Sequence, residues 1–146
     1  MPTLKALLMR REGYETKVYK DSLGRLTVGI GHLVTRTDNL KLGDEVDAKR
    51  IDGFFKDDSS TALAAAKLQA GKAKIKDPGF VIYLASVNYQ LGTQWFRKFK
   101  KTWKLILDGK YADAAQEAMK SRWAKQTPKR AKDFQQALLN LTEPAP

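Results

Sequence analysis

Two carboxylic acids and a threonine stand close together in the stretch REGYETKVYKDSLGRLTVGIGHL, residues 11 to 33, each in a different local setting. Glu12 follows Leu4 and Leu8 at i, i+4, i+8, so it continues an apolar stripe rather than a solvated face. It also falls on the last turn of its helix, at the negative end of the helix dipole. Burial and the dipole both disfavour the ionised carboxylate, which is how a glutamic acid is kept protonated near neutral pH to act as a general acid. Asp21 lies in a polar turn, DSLG, where solvent and backbone N–H groups keep a carboxylate ionised. In the strand that follows, a period of two puts Leu26, Val28 and Ile30 on one face and Arg25, Thr27, Gly29 and Gly31 on the other. That second face is nearly bare, with Thr27 a lone hydroxyl beside two glycines, and it leaves room for a bulky polymer. Two carboxyl groups pushed to opposite protonation states, with space between them, are the parts of a site that cleaves glycosidic bonds. The helix acid protonates the leaving oxygen, and the turn acid handles water or positive charge. Taken singly, each has a plainer reading: Glu12 as a half-exposed helix end, Asp21 as a turn-former.

The elements that must position these groups are legible in outline. Residues 3 to 12 read as a first helix closed by Gly13, and residues 17 to 34 as a hairpin turning at DSLG. A second helix is expected from near Asp44, with Asp44 as its cap, carrying Val46, Ile51, Phe54 and Phe55; Gly53 weakens its continuity. Ala-rich residues 60 to 70 continue helically, GKAKIKDPG is a basic, turn-rich connection, and GFVIYLASVNYQLG is apolar enough to be a central buried helix. Residues 94 to 107, 111 to 122 and 128 to 141 are further helices, separated by Asp108-Gly109 and by Thr127-Pro128, and EPAP is a frayed tail. The pattern predicts an α+β, mainly α fold in a single domain, residues 1 to 146. A small hairpin-bearing lobe over about 13–60 joins a larger helical lobe over about 61–146 that also takes the N-terminal helix.

Three further features have competing readings. Lys129 and Arg130 fall in the first turn of the last helix, where cations oppose the dipole; Arg130 is either compensated by a partner or solvent-facing. His32 is the one histidine, and a lone histidine with no second ligand nearby is expected to be structural, paired to a carboxylate or a carbonyl. QWFRKFKKTWK interleaves aromatic and basic residues. On a helical wheel Trp95, Phe96, Phe99, Trp103 and Ile106 share one side and Arg97, Lys100, Lys101 and Lys104 the other, which fits an apolar face on the core, or alternatively affinity for a membrane or envelope.

Composition bounds the setting. The 146 residues suffice to bury a core, and with no cysteine the fold stands on packing, without disulfides, thiol chemistry or Cys/His metal sites. A net charge of +11, from 27 Lys and Arg against 16 Asp and Glu, draws the surface to polyanions: nucleic acid, acidic membrane or an anionic cell envelope. The N-terminal apolar patch is too short for a signal segment and no run approaches a membrane span, so a protein made in a cytoplasm without its own export signal is expected.

The chain resembles the phage lysozymes (endolysin muramidases) of the T-even type. Their signature of a helix-end Glu-Gly, a Tyr-Lys-Asp turn and a strand ending Gly-Ile-Gly-His-Leu stands here as Glu12-Gly13, Tyr19-Lys20-Asp21 and Gly29-Ile30-Gly31-His32-Leu33, with Thr27 in the threonine position. The likeness returns at Tyr89-Gln90-Leu91-Gly92, at Ser121-Arg122-Trp123 and at Gln126-Thr127-Pro128-Lys129-Arg130-Ala131, while residues 36 to 80 match in pattern only. The resemblance implies a two-lobed lysozyme-like fold, with Glu12 as acid, Asp21 and Thr27 holding a water that attacks with inversion, and Arg130 reaching back to Glu12. It also implies sugar contacts at Leu33, Tyr89, Thr102 and Glu117, although a neutral amide is usual where Glu117 stands. The function implied is hydrolysis of the β-1,4 bond between N-acetylmuramic acid and N-acetylglucosamine of bacterial peptidoglycan, to lyse a host cell. No cofactor and no metal is implied. Such an enzyme is a monomer that stays in the host cytoplasm until a holin releases it, or is delivered in a virion, and then acts on the wall. It inserts in no membrane and binds no nucleic acid. Two other readings stay open for the sequence: a transglycosylase or chitinase on the same fold, and a non-catalytic basic nucleic-acid-binding domain.

Overall fold

The side chain of Thr3 accepts the N–H of Ala6 (3.1 Å) and so caps α1, Leu4–Glu12, which Gly13 ends at φ +75° with its N–H on the Met9 carbonyl (3.0 Å). This is a computed structural model, and it describes residues 3–142; the EPAP tail lies outside the described residues. After α1 come β1 (Glu15–Lys20), β2 (Leu26–Gly29) and β3 (His32–Leu33), an antiparallel sheet in the order β1-β2-β3. The stretch read as a two-stranded hairpin therefore makes three strands. Gly29 and Gly31 take φ +67° and +66°, conformations in the left-handed region that break the period of two at Ile30 and turn the chain back. The bare strand face inferred from Thr27, Gly29 and Gly31 accordingly stops at the end of β2, and the glycines serve the turn.

The helix that follows begins later than its sequence suggests. Asp47, not Asp44, caps α2 (Ala48–Lys72) by accepting the Arg50 N–H at 2.8 Å, while Asp44 accepts the Lys41 N–H in the preceding loop. α2 passes Gly53 and residue 60 without a break. A helical glycine costs about 1 kcal/mol, and packing on both sides of it outweighs that: Ile51 enters a small core with Val18, Val28 and Val46, and Ala66 and Ala70 enter the large one.

α3 (Pro78–Leu91), capped by Asp77, runs through the large core with Leu84, Ala85 and Val87 buried. Gln69 of α2 and Asn88 of α3 exchange side-chain amide hydrogen bonds, 3.0 Å in each direction, and the Trp95 indole N–H donates to Gln69. A fully partnered network of this kind fixes the register of the two helices.

The later helices are shorter than the periodicity indicates. The segment 94–107 divides into a 3-10 turn, Trp95–Arg97, and α4 (Lys100–Leu107). Trp95 and Ile106 are buried, Phe96, Phe99 and Trp103 pack on the core, and Lys100, Lys101 and Lys104 face outward, so the aromatic side of this stretch belongs to the interior. The segment 111–122 ends early at α5 (Tyr111–Met119). Ser121 then caps α6 (Arg122–Gln126), accepting the Ala124 N–H (3.2 Å). α7 (Pro128–Asn140) closes the described chain. Thr127 precedes α7 but does not cap it through its side chain; its hydroxyl donates to the Trp123 carbonyl (3.0 Å) and accepts from the Gln90 amide (3.3 Å). The result is an α+β, mainly α fold in which a small sheet-bearing lobe and a helical lobe share α2.

Candidate active site

Glu12 is the last residue of α1, and Gly13 ends the helix beside it, so the carboxylate leaves from a fixed end rather than from a fraying turn. It is mostly buried and in ion-pair contact with Arg130 on the first turn of α7. The guanidinium is pinned from behind, donating to the Ser86 carbonyl (3.0 Å) and hydroxyl (2.9 Å) on α3. Arg130 is 7 % exposed, and burial pulls its pKa down to about 10, still high enough for it to be charged at neutral pH. Arg11, adjacent to Glu12 in sequence, is committed elsewhere, its fork closed on Asp133 at 2.7 and 2.9 Å. A third contact defines the Glu12 position: a β-carbon on Gly31 would overlap its carboxylate.

Asp21 opens the β1–β2 turn. Its Oδ1 accepts the N–H groups of Leu23 and Arg25, both at 2.9 Å, and its Oδ2 accepts Nε of Arg25 at 2.9 Å. Burial pushes this carboxyl up, but the hydrogen bonds from Arg25 and Leu23 outweigh it and hold the pKa below the ordinary aspartate value. Thr27, in the middle strand of the sheet, is 2 % exposed, and its hydroxyl donates to the Arg25 carbonyl at 2.8 Å. Glu12, Asp21, Arg25, Gln90 and Arg130 line one cavity of about 250 Å³.

Gly31, His32, Leu33 and Tyr89 line a second cavity of about 290 Å³ with Asn88 and Thr93. The two spaces adjoin, since the Glu12 carboxylate that lines one lies against the Gly31 that lines the other. The Tyr89 hydroxyl donates to the Ile30 carbonyl, tying α3 to the β2–β3 turn. Thr102 and Glu117 are elsewhere. They line a separate pocket with Lys98, Lys100, Lys101 and Lys120; Thr102 is 3 % exposed, and Glu117 lies 3.5 Å from both Lys101 and Lys120. A carboxylate between two lysines is the local reason an acid is tolerated there.

His32 is paired on both sides, to Asp58 through Nδ1 (2.6 Å) and to Asp38 through Nε2 (2.8 Å), and stacks on Phe54 with ring centroids 3.8 Å apart. Among the described residues no group of three or more His, Asp or Glu side chains is arranged to hold a metal ion. Arg25 and Ser86 are not marked as site residues by any motif in the sequence. Arg25 had one local signal, its i, i+4 spacing from Asp21; Ser86 had none, being an unremarked serine on a buried helix.

Glu12 against its buried guanidinium and Asp21 in its hydrogen-bonded turn line one cavity of an α+β, mainly α fold, and similarity to known proteins makes the chain a lysozyme-type glycoside hydrolase. The phage lysozyme family model matches residues 9–139, and the chain belongs to that family. A protein described as probable T4-type lysozyme 2 of Dictyostelium discoideum is 32% identical, covering 88% of this chain and 89% of its own length. An endolysin of Acyrthosiphon pisum secondary endosymbiont phage 1 is 30% identical over 82% of this chain and 75% of its own. A peptidoglycan hydrolase of Pseudomonas phage phiKMV is 28% identical over 87% of this chain but only 14% of its own length.

Proposed function

We propose that this enzyme hydrolyses the β-1,4 bond between N-acetylmuramic acid and N-acetylglucosamine in bacterial peptidoglycan, with inversion, and lyses a bacterial host. The observation that carries the reading is the unlike pair of acids on one cavity: Glu12 against Arg130 and Gly31, Asp21 in its hydrogen-bonded turn. Glu12 gives its proton to the glycosidic oxygen as the bond from that oxygen to the anomeric carbon breaks. A water held by Asp21 and Thr27 attacks that carbon from the opposite face, and its proton passes to the Asp21 carboxylate. Glu12 must be protonated to begin. Burial and the helix end favour the neutral acid while Arg130 favours the anion, so the pH range of activity reflects both.

Leu33 and Tyr89, on the adjoining cavity, contact the saccharide in this reading. Thr102 and Glu117, on their separate lysine-rich pocket, are the extended contacts of a long polymer. Attraction of the +11 surface to an anionic envelope raises the enzyme's local concentration at the wall. The protein acts as a monomer on the wall, after a holin lesion or virion delivery. The phage names of two relatives support that setting.

Mass analysis of muropeptides released from purified peptidoglycan tests the reading. Hydrolysis leaves reducing N-acetylmuramic acid ends. Reducing N-acetylglucosamine ends, anhydro sugars or the absence of soluble products would each overturn it.

A further inference from the structure

Residue 25 is bonded to both groups proposed to hold the water, through three of its own polar groups. Its N–H and its Nε each reach one oxygen of the Asp21 carboxylate, at 2.9 Å. Its carbonyl accepts the Asp21 N–H (2.9 Å) and the Thr27 hydroxyl (2.8 Å). We propose that Arg25 is a positioning residue that fixes Asp21 and Thr27 as one rigid pair of hydrogen-bond acceptors. The proposal rests on the hydrolase reading above and extends it.

The hydrogen-bonding capacity of the two groups dictates what such a pair does. An ionised carboxylate offers about four lone-pair sites. Here the N–H groups of Leu23 and Arg25 and the Arg25 Nε occupy three, leaving one on Oδ2. The Thr27 hydroxyl has committed its only hydrogen to the Arg25 carbonyl, so toward any further partner it accepts. Asp21 lines the cavity and Thr27 is buried and off its lining, so in this proposal the attacking water gives one hydrogen to Asp21, directs the other inward to Thr27, and keeps a lone pair for the anomeric carbon. Carboxylate torsions are broad and two-fold when unrestrained, and the Arg25 Nε–H removes that freedom from Asp21. A planar guanidinium does this directionally, whereas a lysine ammonium supplies charge without the fixed N–H vector.

The same contacts make Asp21 a weak base, since its carboxyl is held below the ordinary range. Its contribution is therefore orientation and negative charge opposite the oxocarbenium-like transition state, with proton uptake following bond formation. Other charged or titratable groups line the cavity: Arg11 and Glu12 from α1, Tyr19 and Lys20 from β1, and Arg130 from α7. Among the described residues Arg25 is the cation in salt-bridge contact with Asp21.

The test compares Arg25→Gln and Arg25→Lys with the wild type on purified peptidoglycan, reading kcat and KM against pH and following the Asp21 carboxyl by carbon NMR titration. Arg25→Gln is expected to lower kcat at least about tenfold with KM little changed, as misorientation of a reacting group does, and to move the Asp21 titration and the acid limb to higher pH. Arg25→Lys is expected to restore the acid limb while recovering kcat only in part. An unmoved Asp21 titration in Arg25→Gln overturns the proposal whatever the activity. So does a raised kcat, which would make Arg25 a brake on a general base. If Arg25→Gln does not fold, Arg25→Lys decides alone, and wild-type kcat in that variant overturns the proposal. Wild-type protein that releases no saccharide from peptidoglycan sinks the hydrolase reading instead, and the NMR titration still judges the Arg25 contact.

Discussion

The Glu12 carboxylate occupies the space that a side chain on Gly31 would need. Gly31 is also at φ +66°, so it serves two requirements at once, the turn between β2 and β3 and the close approach of the acid. Gly31→Ala is expected to lose about 1–2 kcal/mol from the left-handed backbone alone and to lower activity by about a hundredfold by displacing Glu12. Gly109→Ala is the control. Its φ is +76° with nothing within 4 Å of the added carbon, so it carries the backbone strain alone. Thermal melting and wall-turbidity assays on both variants check this; a Gly31→Ala enzyme as active as Gly109→Ala refutes the steric argument.

Glu12→Gln keeps the size of the side chain and removes its proton-donating acid. It is expected to fold and to lose activity by roughly 10² to 10⁴, the range general acid catalysis supplies. Residual activity above about a tenth of wild type takes Glu12 out of the role.

Arg130→Ala strands a mostly buried carboxylate and empties the place of a guanidinium hydrogen-bonded to Ser86. Breaking a buried pair costs roughly 3 kcal/mol or more. Loss of the cation also favours the neutral acid, so the alkaline limb of the pH–activity profile is expected to move upward. An unchanged melting temperature together with an unmoved limb would show that the ion pair has no part in stability or catalysis.

His32 and Asp38 give a pH dependence of stability whose sign follows from their shifts. Burial opposes the charged ring, but hydrogen bonds to Asp58 and Asp38 prevail and the His32 pKa is raised. Stabilisation by a raised histidine is complete below its ordinary pKa of about 6.5 and fades as pH rises through the folded value. Burial likewise pushes Asp38 up, while bonds from Thr35 and His32 prevail and lower it, so its share is present above about pH 4 and fades as pH falls. Wild type is expected to exceed His32→Asn by roughly 1.5–3 kcal/mol, the worth of a charged hydrogen bond, between about pH 4 and 6.5, and by less at alkaline pH. Denaturant titrations across that range check it, and a gap that widens with rising pH contradicts it.

Wall lysis is expected to weaken as added salt brings the Debye length below about 8 Å, if the +11 charge supplies attraction to the envelope. Turnover of short soluble oligosaccharides is expected to change far less. Equal salt responses for the two substrates would remove charge from the account.

Much of this protein is legible in its sequence because much of it is set locally. Thr3 and Gly13 bracket α1, Asp21 and Gly24 make their turn, and the 3.6-residue period of the last helix depends on neighbours within a few residues. The helix-end place of Glu12 and the turn place of Asp21 are legible for the same reason, as is the inward aromatic side of residues 95 to 106, while the roles proposed for Glu12, Asp21 and Thr27 come from the family resemblance. Four outcomes belong to tertiary structure. α2 runs on through Gly53 because helices and strands distant in sequence bury its two ends, which propensity does not register. Thr127 leaves α7 uncapped because Trp123 and Gln90 engage its hydroxyl. His32 pairs with a carboxylate as its sequence setting suggests, but that it takes two, one of them on α2, is decided by packing. The resemblance implies the contact of Glu12 with Arg130, but the approach of Glu12 to Gly31 and the gathering of Thr102 and Glu117 in a different pocket depend on how α1 packs on the β2–β3 turn and α4 on α5. Local spacing dictates which groups an element presents. Which groups meet is decided by burial of apolar surface between elements far apart in the chain, and no short stretch of sequence encodes it.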